Sequence, residues 1–311
     1  MRIVSLLPSA TEIVYALGLG DHLYGVSHAC DFPPEAKEKP VVVRSRIEPE
    51  GSTSGEIDAA VREYASSGAP IYQIDLNALS QAQPDLILTQ GLCEVCAVPA
   101  EQVTEAIEGL STKPQVVSLD PHSLNDLFND ILKVGEATNT MEKAQTLISS
   151  FERRRDEVAA TAAIAATRPR VACLEWLDPL LVAGHWVPEM VELAGGENCF
   201  GEKGQPSFKI EWQQVMEARP EVVIAMPCGF DVRKGIAEVH LLTEKEGWES
   251  LPAAVNERLF VVDGGAYFSR SGPRLVDGLE MMAEILHPEL FSGMVPQGAA
   301  SRIYGQLFKV S

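Results

Sequence analysis

The feature that most limits what this chain can fold into is that it repeats its own β/α pattern. Gln83-Pro84-Asp85-Leu86-Ile87-Leu88 returns as Arg219-Pro220-Glu221-Val222-Val223-Ile224, 136 positions on. Arg2-Ile3-Val4 returns as Arg170-Val171-Ala172, and Val116-Val117-Ser118-Leu119-Asp120 as Phe260-Val261-Val262-Asp263. Glu12-Ile13-Val14-Tyr15-Ala16-Leu17-Gly18 matches Glu189-Met190-Val191-Glu192-Leu193-Ala194-Gly195 more loosely. Four blocks in one order point to two equivalent units. Short apolar runs at 2–7, 23–27, 71–74, 85–89, 115–118, 170–174, 181–183, 222–226 and 259–262 alternate with helical stretches, the pattern of parallel α/β layers.

Between the units, 140–167 keeps apolar residues at Met141, Ala144, Leu147, Ile148, Phe151 and Val158 with no Gly or Pro, until Arg168-Pro169. That predicts one helix of roughly 40 Å. The fold class expected is therefore α/β, two Rossmann-like lobes with parallel sheets joined by one long interlobe helix. The divisions are 1–138 for the N-terminal lobe, 139–168 for the helix, 169–290 for the C-terminal lobe and 291–311 for a weakly patterned tail. Ligands of parallel α/β sheets sit beyond the carboxyl ends of the strands, and two facing lobes make a cleft there.

The formal net charge of −19 argues against a nucleic-acid partner. The densest basic run, Arg153-Arg154-Arg155, is flanked by Glu152, Asp156 and Glu157 and reads as a solvated helix face. No stretch reaches the ~20 apolar residues of a membrane span. Arg2–Leu7 already reads as a buried strand, which leaves no room for a secretory signal and places the protein in the cytoplasm, or in the periplasm or at the cell surface if a leader has been trimmed. Six scattered cysteines fit a reducing compartment.

The strand-end loops hold the candidate chemistry. After 85–89 comes Gly91-Leu92-Cys93-Glu94-Val95-Cys96. Its C-x-x-C pair reads as packed or redox-labile thiols, or as soft metal ligands; with no second pair the zinc set is incomplete. The matching loop of the second unit brings Cys228 and Phe230. Trp176, Trp186, Tyr267 and Phe268 lie in strand-end loops, and flat aromatic faces suit flat macrocycles as well as cores. Trp212 and Trp248 read as filler. His28 and His185 follow strands and suit axial coordination of a tetrapyrrole metal or a hydrogen-bonded loop; His22, His122, His240 and His287 have no such placement. Pro8-Ser9-Ala10-Thr11 opens a helix, with Ser9 as N-cap and Glu12 completing a capping box, or with free amides for an anion. Arg44, Arg46 and Arg270 are candidates for an anionic ligand group. There is no G-x-S-x-G elbow, P-loop or H-E-x-x-H, so a binding protein is expected rather than an enzyme.

Ser5-Leu6-Leu7-Pro8-Ser9-Ala10-Thr11-Glu12, Gly25-Val26-Ser27, Asp31-Phe32-Pro33-Pro34, Gly195-Gly196-Glu197-Asn198-Cys199-Phe200 and Ser271-Gly272-Pro273-Arg274 resemble the class III periplasmic binding proteins of ABC importers, most of all the cobalamin-binding branch, over roughly residues 1–287. The resemblance implies two lobes, little hinge motion, no required cofactor, and a small-molecule guest such as a corrinoid, haem, ferric siderophore or metal ion. It implies that the loop of His185 faces the guest. It also implies a membrane permease whose arginines meet one glutamate per lobe, but the matching positions here are Asn77 and Gln213, with Glu211 close by. The alternatives left open are a corrinoid or tetrapyrrole binder, a thiol-dependent metal handler or enzyme using Cys93 and Cys96, and an importer subunit for a siderophore, haem or metal.

Overall fold

The computed structural model describes residues 1–91, 98, 100–111 and 113–304. The N-terminal lobe carries β1 (Ile3–Ser5), β2 (Leu23–Ser27), β3 (Val41–Ser45), β4 (Tyr72–Ile74), β5 (Leu86–Gln90) and β6 (Gln115–Leu119), ordered β4-β3-β2-β1-β5-β6. The C-terminal lobe carries β7 (Arg170–Leu177), β8 (Leu180–Val182), β9 (Glu197–Asn198), β10 (Phe208–Lys209), β11 (Val222–Ala225), β12 (Leu259–Val262) and β13 (Ala300–Ile303). Its order is β10-β8-β7-β11-β12-β13, with β9 also paired to β7.

The centre of each sheet is parallel, but β4, β8, β10 and β13 run antiparallel at the margins. The parallel centres are those expected of the two lobes, and the antiparallel strands add to their margins. A chain link of two residues, Asp178-Pro179, is too short for the crossover that a parallel partner of β7 needs. Strand β3 lies outside the expected strands although Val41-Val42-Val43 is β-branched, and β13 rises from a tail given no role. Its Ile303 is buried against β12, so the tail completes the C-terminal sheet.

The repeat holds down to single hydrogen bonds. The Arg2 amide donates to the Asp85 carboxylate at 2.7 Å, and the Arg170 amide to the Glu221 carboxylate at 3.0 Å. Both following acids return their own amides to that arginine's carbonyl at 2.8 Å. Each block is preceded by a short helix, Leu76–Ala82 or Trp212–Ala218, ending in a left-handed residue, Gln83 or Arg219.

The interlobe helix runs Met141–Ala162, 22 residues and about 33 Å. It stops short of the expected 167 because nothing is left to bury: Ile164 is 75% exposed. Ala144, Ile148, Phe151, Val158 and Ala162 form its buried stripe. They join Ile13, Leu127 and Ile131 of one lobe to Val191, Leu279 and Met282 of the other in one continuous core. Arg154 donates to Asp277 and Glu280 on the helix Leu275–Leu286, and Arg155 donates to Asn125 at 3.1 Å. Two of the three arginines thus tie the helix to both lobes; only Arg153, paired with Glu157, is the solvated side chain expected of all three.

A polar clasp adds to this spine. Glu12, 3% exposed, receives two bonds from Arg274 at 2.7 and 3.1 Å. Arg270 pairs with Asp31 and donates to the Ala29 carbonyl at 3.2 Å. Burial pushes the Glu12 carboxyl above its usual range, and the Arg274 hydrogen bond opposes that. Removing one member leaves a buried charge unpaired, which costs about 3–5 kcal/mol. Glu12→Ala is expected to destabilise the protein by roughly that amount in urea unfolding, with strong coupling to Arg274→Met in a double-mutant cycle. Additive effects would reduce the clasp to a surface contact.

Candidate ligand cleft

The carboxyl ends of β1, β2, β5 and β6 face those of β7, β11 and β12 across contacts that ring the rim. The clasp is one such contact. At a second, the Ser54 amide donates to Glu238 at 2.6 Å and Lys234 donates to the Pro49 carbonyl at 2.7 Å. This joins the loop and first turn of the helix Ser54–Ser67 to the C-terminal helix Val232–Glu238. At a third, the Leu124 amide donates to Glu189 at 3.2 Å, and His122 meets His185 with ring centres 5.7 Å apart.

Several expected site residues lie at the strand ends. Trp176 is half-buried, 5.3 Å edge-on from Phe230, with its indole N–H donated to the Asp178 carbonyl at 3.0 Å. Phe230, expected to face a ligand, is instead 2% exposed and packed inside the lobe, with Lys234 3.9 Å over its ring. Cys228 is half-buried, and its amide donates to the Glu175 carbonyl at 3.0 Å. In the other lobe, His28 is exposed at the end of β2, 6.2 Å from Tyr72. Gly91 is exposed at the end of β5 beside Asp120. Arg46 is exposed and lines a shallow cavity of about 320 Å³ with Tyr72, Ile74, Leu76 and Gln102, formed by the N-terminal lobe alone.

Others are placed elsewhere. Trp186 and Phe268 are 4% and 3% exposed and belong to the core, the Trp186 indole donating to the Phe268 carbonyl at 2.8 Å. Tyr267 packs on that core beneath Arg274. Arg270 is held by Asp31 rather than offered to a ligand. The helix Pro8–Ala16 has Leu7, not Ser9, at its N-cap, because Pro8 already occupies the first turn. Glu12 closes no capping box; it reaches Arg274 instead. Ser9, Ala10 and Thr11 are buried, Thr11 donating to Ser5 at 2.8 Å, so this helix start is packed between the lobes. Cys93 and Cys96 lie outside the described residues.

Sequence reasoning missed His122 and Asp120, although Asp120 stands at the position of Asp263 in the repeat. The offset was the available signal, since it placed the loop after β6 at a strand end. It also missed Glu175, whose carboxyl is pushed up by burial against bonds from Ser207 and the Gly184 backbone. His185 occupies the left-handed region at φ 53°, fixed by its amide donating to Gln205 at 2.6 Å and by Gly204 donating to its carbonyl at 2.8 Å.

A stiff two-lobed α/β protein with aromatics and histidines at facing strand ends is a small-molecule binding protein. The family model described as periplasmic binding protein matches residues 3–265, and the chain belongs to that family. It is 24% identical over 296 residues to an ABC transporter substrate-binding lipoprotein of Bacillus subtilis, covering 93% of this chain and 81% of the relative. It is 27% identical over 289 residues to the vitamin B12-binding protein of Vibrio parahaemolyticus, covering 91% and 88%. Among solved structures, the periplasmic vitamin B12 binding protein of Vibrio cholerae superposes with a TM-score of 0.67 at 23% identity, covering 92% of this chain and 96% of that one. The periplasmic heme-binding protein of Roseiflexus sp. RS-1 gives 0.69 at 22%, covering 93% and 98%.

Membership implies a small-molecule ligand and a permease partner. It also corrects the expectation of a cytoplasmic protein: this is a periplasmic family, and the Bacillus relative is a lipoprotein, so the chain belongs outside the cytoplasm. Among the described residues no helix is long and apolar enough to cross a membrane.

Burial holds His28 and His185 below the usual imidazole range, the latter with help from neighbouring His122. Their folded pKa values lie below the unfolded value of about 6.5, so as pH falls through that value the unfolded chain takes up protons first. Stability from these groups is complete above about pH 6.5 and declines below it. Asp31 is shifted the opposite way relative to its charge: burial raises it, but the Arg270 hydrogen bond and charge outweigh that and lower it, so its contribution is lost only further down, below about pH 4. The urea midpoint is expected to be lower at pH 5.5 than at pH 7.5, with a shallower dependence in His185→Asn, a residue that tolerates the left-handed backbone. An unchanged slope in that variant would contradict the assignment.

Proposed function

We propose that the protein binds a metal tetrapyrrole, a corrinoid first of all, between its lobes (residues 1–138 and 169–290), and hands it to a membrane permease. The observation that carries this reading is the similarity to vitamin B12-binding proteins along both lobes, 91% of the chain in the case from Vibrio parahaemolyticus. The half-buried ring of Trp176 and the exposed imidazole of His28, at strand ends of the two lobes, support it, because a flat ligand of several hundred Å² is recognised by large apolar rings with few polar anchors. Gly91 and Cys228 complete the proposed lining. We read the chain as a binder, not an enzyme, on the strength of its family.

The permease interface is proposed to differ from the glutamate–arginine pairing that the resemblance implies. Asn77 is exposed, and the Gln213 amide donates to Glu217 at 2.9 Å. The neighbouring acids Asp75 and Glu211 cap the helices Leu76–Ala82 and Trp212–Ala218. Docking through amides and capped acids is expected to be less salt-sensitive than docking through free carboxylates.

Titration with aquacobalamin, cobinamide and haemin, followed by tryptophan quenching and calorimetry, tests the ligand. A saturable response to a corrinoid is expected, weakened roughly ten-fold, about 1.4 kcal/mol, in Trp176→Ala. No response to any of the three overturns the reading.

A further inference from the structure

One of the rim contacts between the lobes is made by a segment set apart from the rest of its lobe. Strands β3 and β4 pair antiparallel, Ser45 with Tyr72, and the Arg46 amide donates to the Ile71 carbonyl at 2.9 Å. Residues 47–70 therefore leave the N-terminal lobe and return to it at one neck, at the carboxyl end of β3. They fall where the repeat breaks: 66 positions separate Gly18 from Pro84, but 25 separate Gly195 from Pro220.

The segment holds the helix Ser54–Ser67, closed at its start by the Thr53–Glu56 capping box and followed by left-handed Gly68. It satisfies its own ends without help from the lobe. Its 14 residues span about 21 Å. The tip reaches the C-terminal lobe: the Ser54 amide donates to Glu238, the Pro49 carbonyl accepts from Lys234, and Gly55 lies against Asp178. The neck is beside Tyr72 and His28, and the tip is beside Asp178, whose carbonyl takes the Trp176 indole. The helix thus runs between the strand ends of the two lobes.

Ile57, Ala60, Val61 and Tyr64 recur at helical spacing as one half-buried stripe, with exposed Arg62, Glu63 and Ser66 on the other face. Among the described residues, none of the four belongs to or packs against any of the three apolar cores. The helices behind the other two rim contacts bury Ile13 and Leu127 in the shared core, so those contacts cannot part without opening it. The Ser54 contact is the one that can open alone, because polar bonds exchange for water at modest net cost.

We propose that residues 47–70 form a lid on the cleft, which swings on the β3–β4 neck, releases the C-terminal lobe at its tip, and closes with Ile57, Val61 and Tyr64 against the guest. This rests on the small-molecule reading above and adds how the guest enters and what it presents. The shared spine restricts the lobes themselves, so entry goes through the lid. An apolar stripe roughly 10 Å long suits a guest with a broad apolar edge, not a bare ion.

The tip can be locked. A Cβ on Gly55 would lie 3.9 Å from the Asp178 Cβ, within the ~3.5–4.5 Å that a disulfide spans. Gly55→Cys with Asp178→Cys is compared after oxidation by oxidised glutathione and after reduction and desalting, beside wild type taken through both treatments. Hydrogen exchange needs no guest. Amides of Ser54–Ser67 are expected to exchange on the order of 100-fold faster than those of Met141–Ala162 in wild type, and at least about ten-fold more slowly once locked. Protection equal to that of the interlobe helix, or exchange unchanged by the lock, would overturn the lid. Stopped-flow mixing with cyanocobalamin reads entry: association is expected on the order of 100-fold slower in the oxidised form than in the reduced form. Equal rates would overturn the lid. Ile57→Ser with Tyr64→Ser is expected to weaken binding about ten-fold with its melting temperature little changed, and unchanged affinity would overturn the apolar wall. A lock that slows exchange in a protein binding neither cyanocobalamin nor haemin supports the lid and defeats the tetrapyrrole reading alone.

Discussion

The structure depends on one helix burying its apolar stripe in two lobes at once. Ala144, Ile148, Phe151, Val158 and Ala162 are shared between cores that would otherwise be separate. Swinging the lobes widely would expose that stripe, at about 25 cal/mol for each Å² of apolar surface returned to water. Arg154 and Arg155 reinforce the same restriction with charged bonds to opposite lobes. The remaining two cores lie on the outer faces of the sheets and are confined to one lobe each.

The far side of the molecule is built differently. There the lobes meet through bonds rather than through a dry core: Glu12 with Arg274, Asp31 with Arg270, Ser54 with Glu238, Leu124 with Glu189. Polar contacts can exchange partners with water at modest net cost, whereas an opened core cannot. A shared apolar spine with a polar rim therefore suits a cleft that admits a guest by small movements. Trp176, half-buried, and His28, exposed, stand at strand ends on this side.

Much of this was legible because the repeat carries backbone logic. Pro84 and Pro220 mark the same turn, and the arginine–acid pairs at Arg2 and Arg170 recur in identical geometry. The central strands and the spacer followed from apolar period alone. The margins did not. Strands β9 and β10 are two residues each, and β13 has no alternating pattern, being specified by its partner β12 rather than by its own sequence. The site was less legible than the fold. The same local sequence places a strand-end tryptophan in either a cleft or a core; only tertiary packing separates Trp176, half-buried at the rim, from Trp186, bonded inside to Phe268. Arg270 likewise reads as a ligand anchor in the sequence, because its partner Asp31 lies far away along the chain.

The central claim is that a stiff spine limits the lobes to small closure around a small-molecule guest. Spin labels at Gln81 and Glu217, exposed and equivalent positions of the two lobes, test it by pulsed dipolar distance measurement with and without aquacobalamin. One narrow distribution in the free protein, moving by no more than a few ångström on binding, is the predicted result. A broad or multi-peaked distribution, or a shift on the order of 10 Å like that of hinge-closing proteins, would contradict the account.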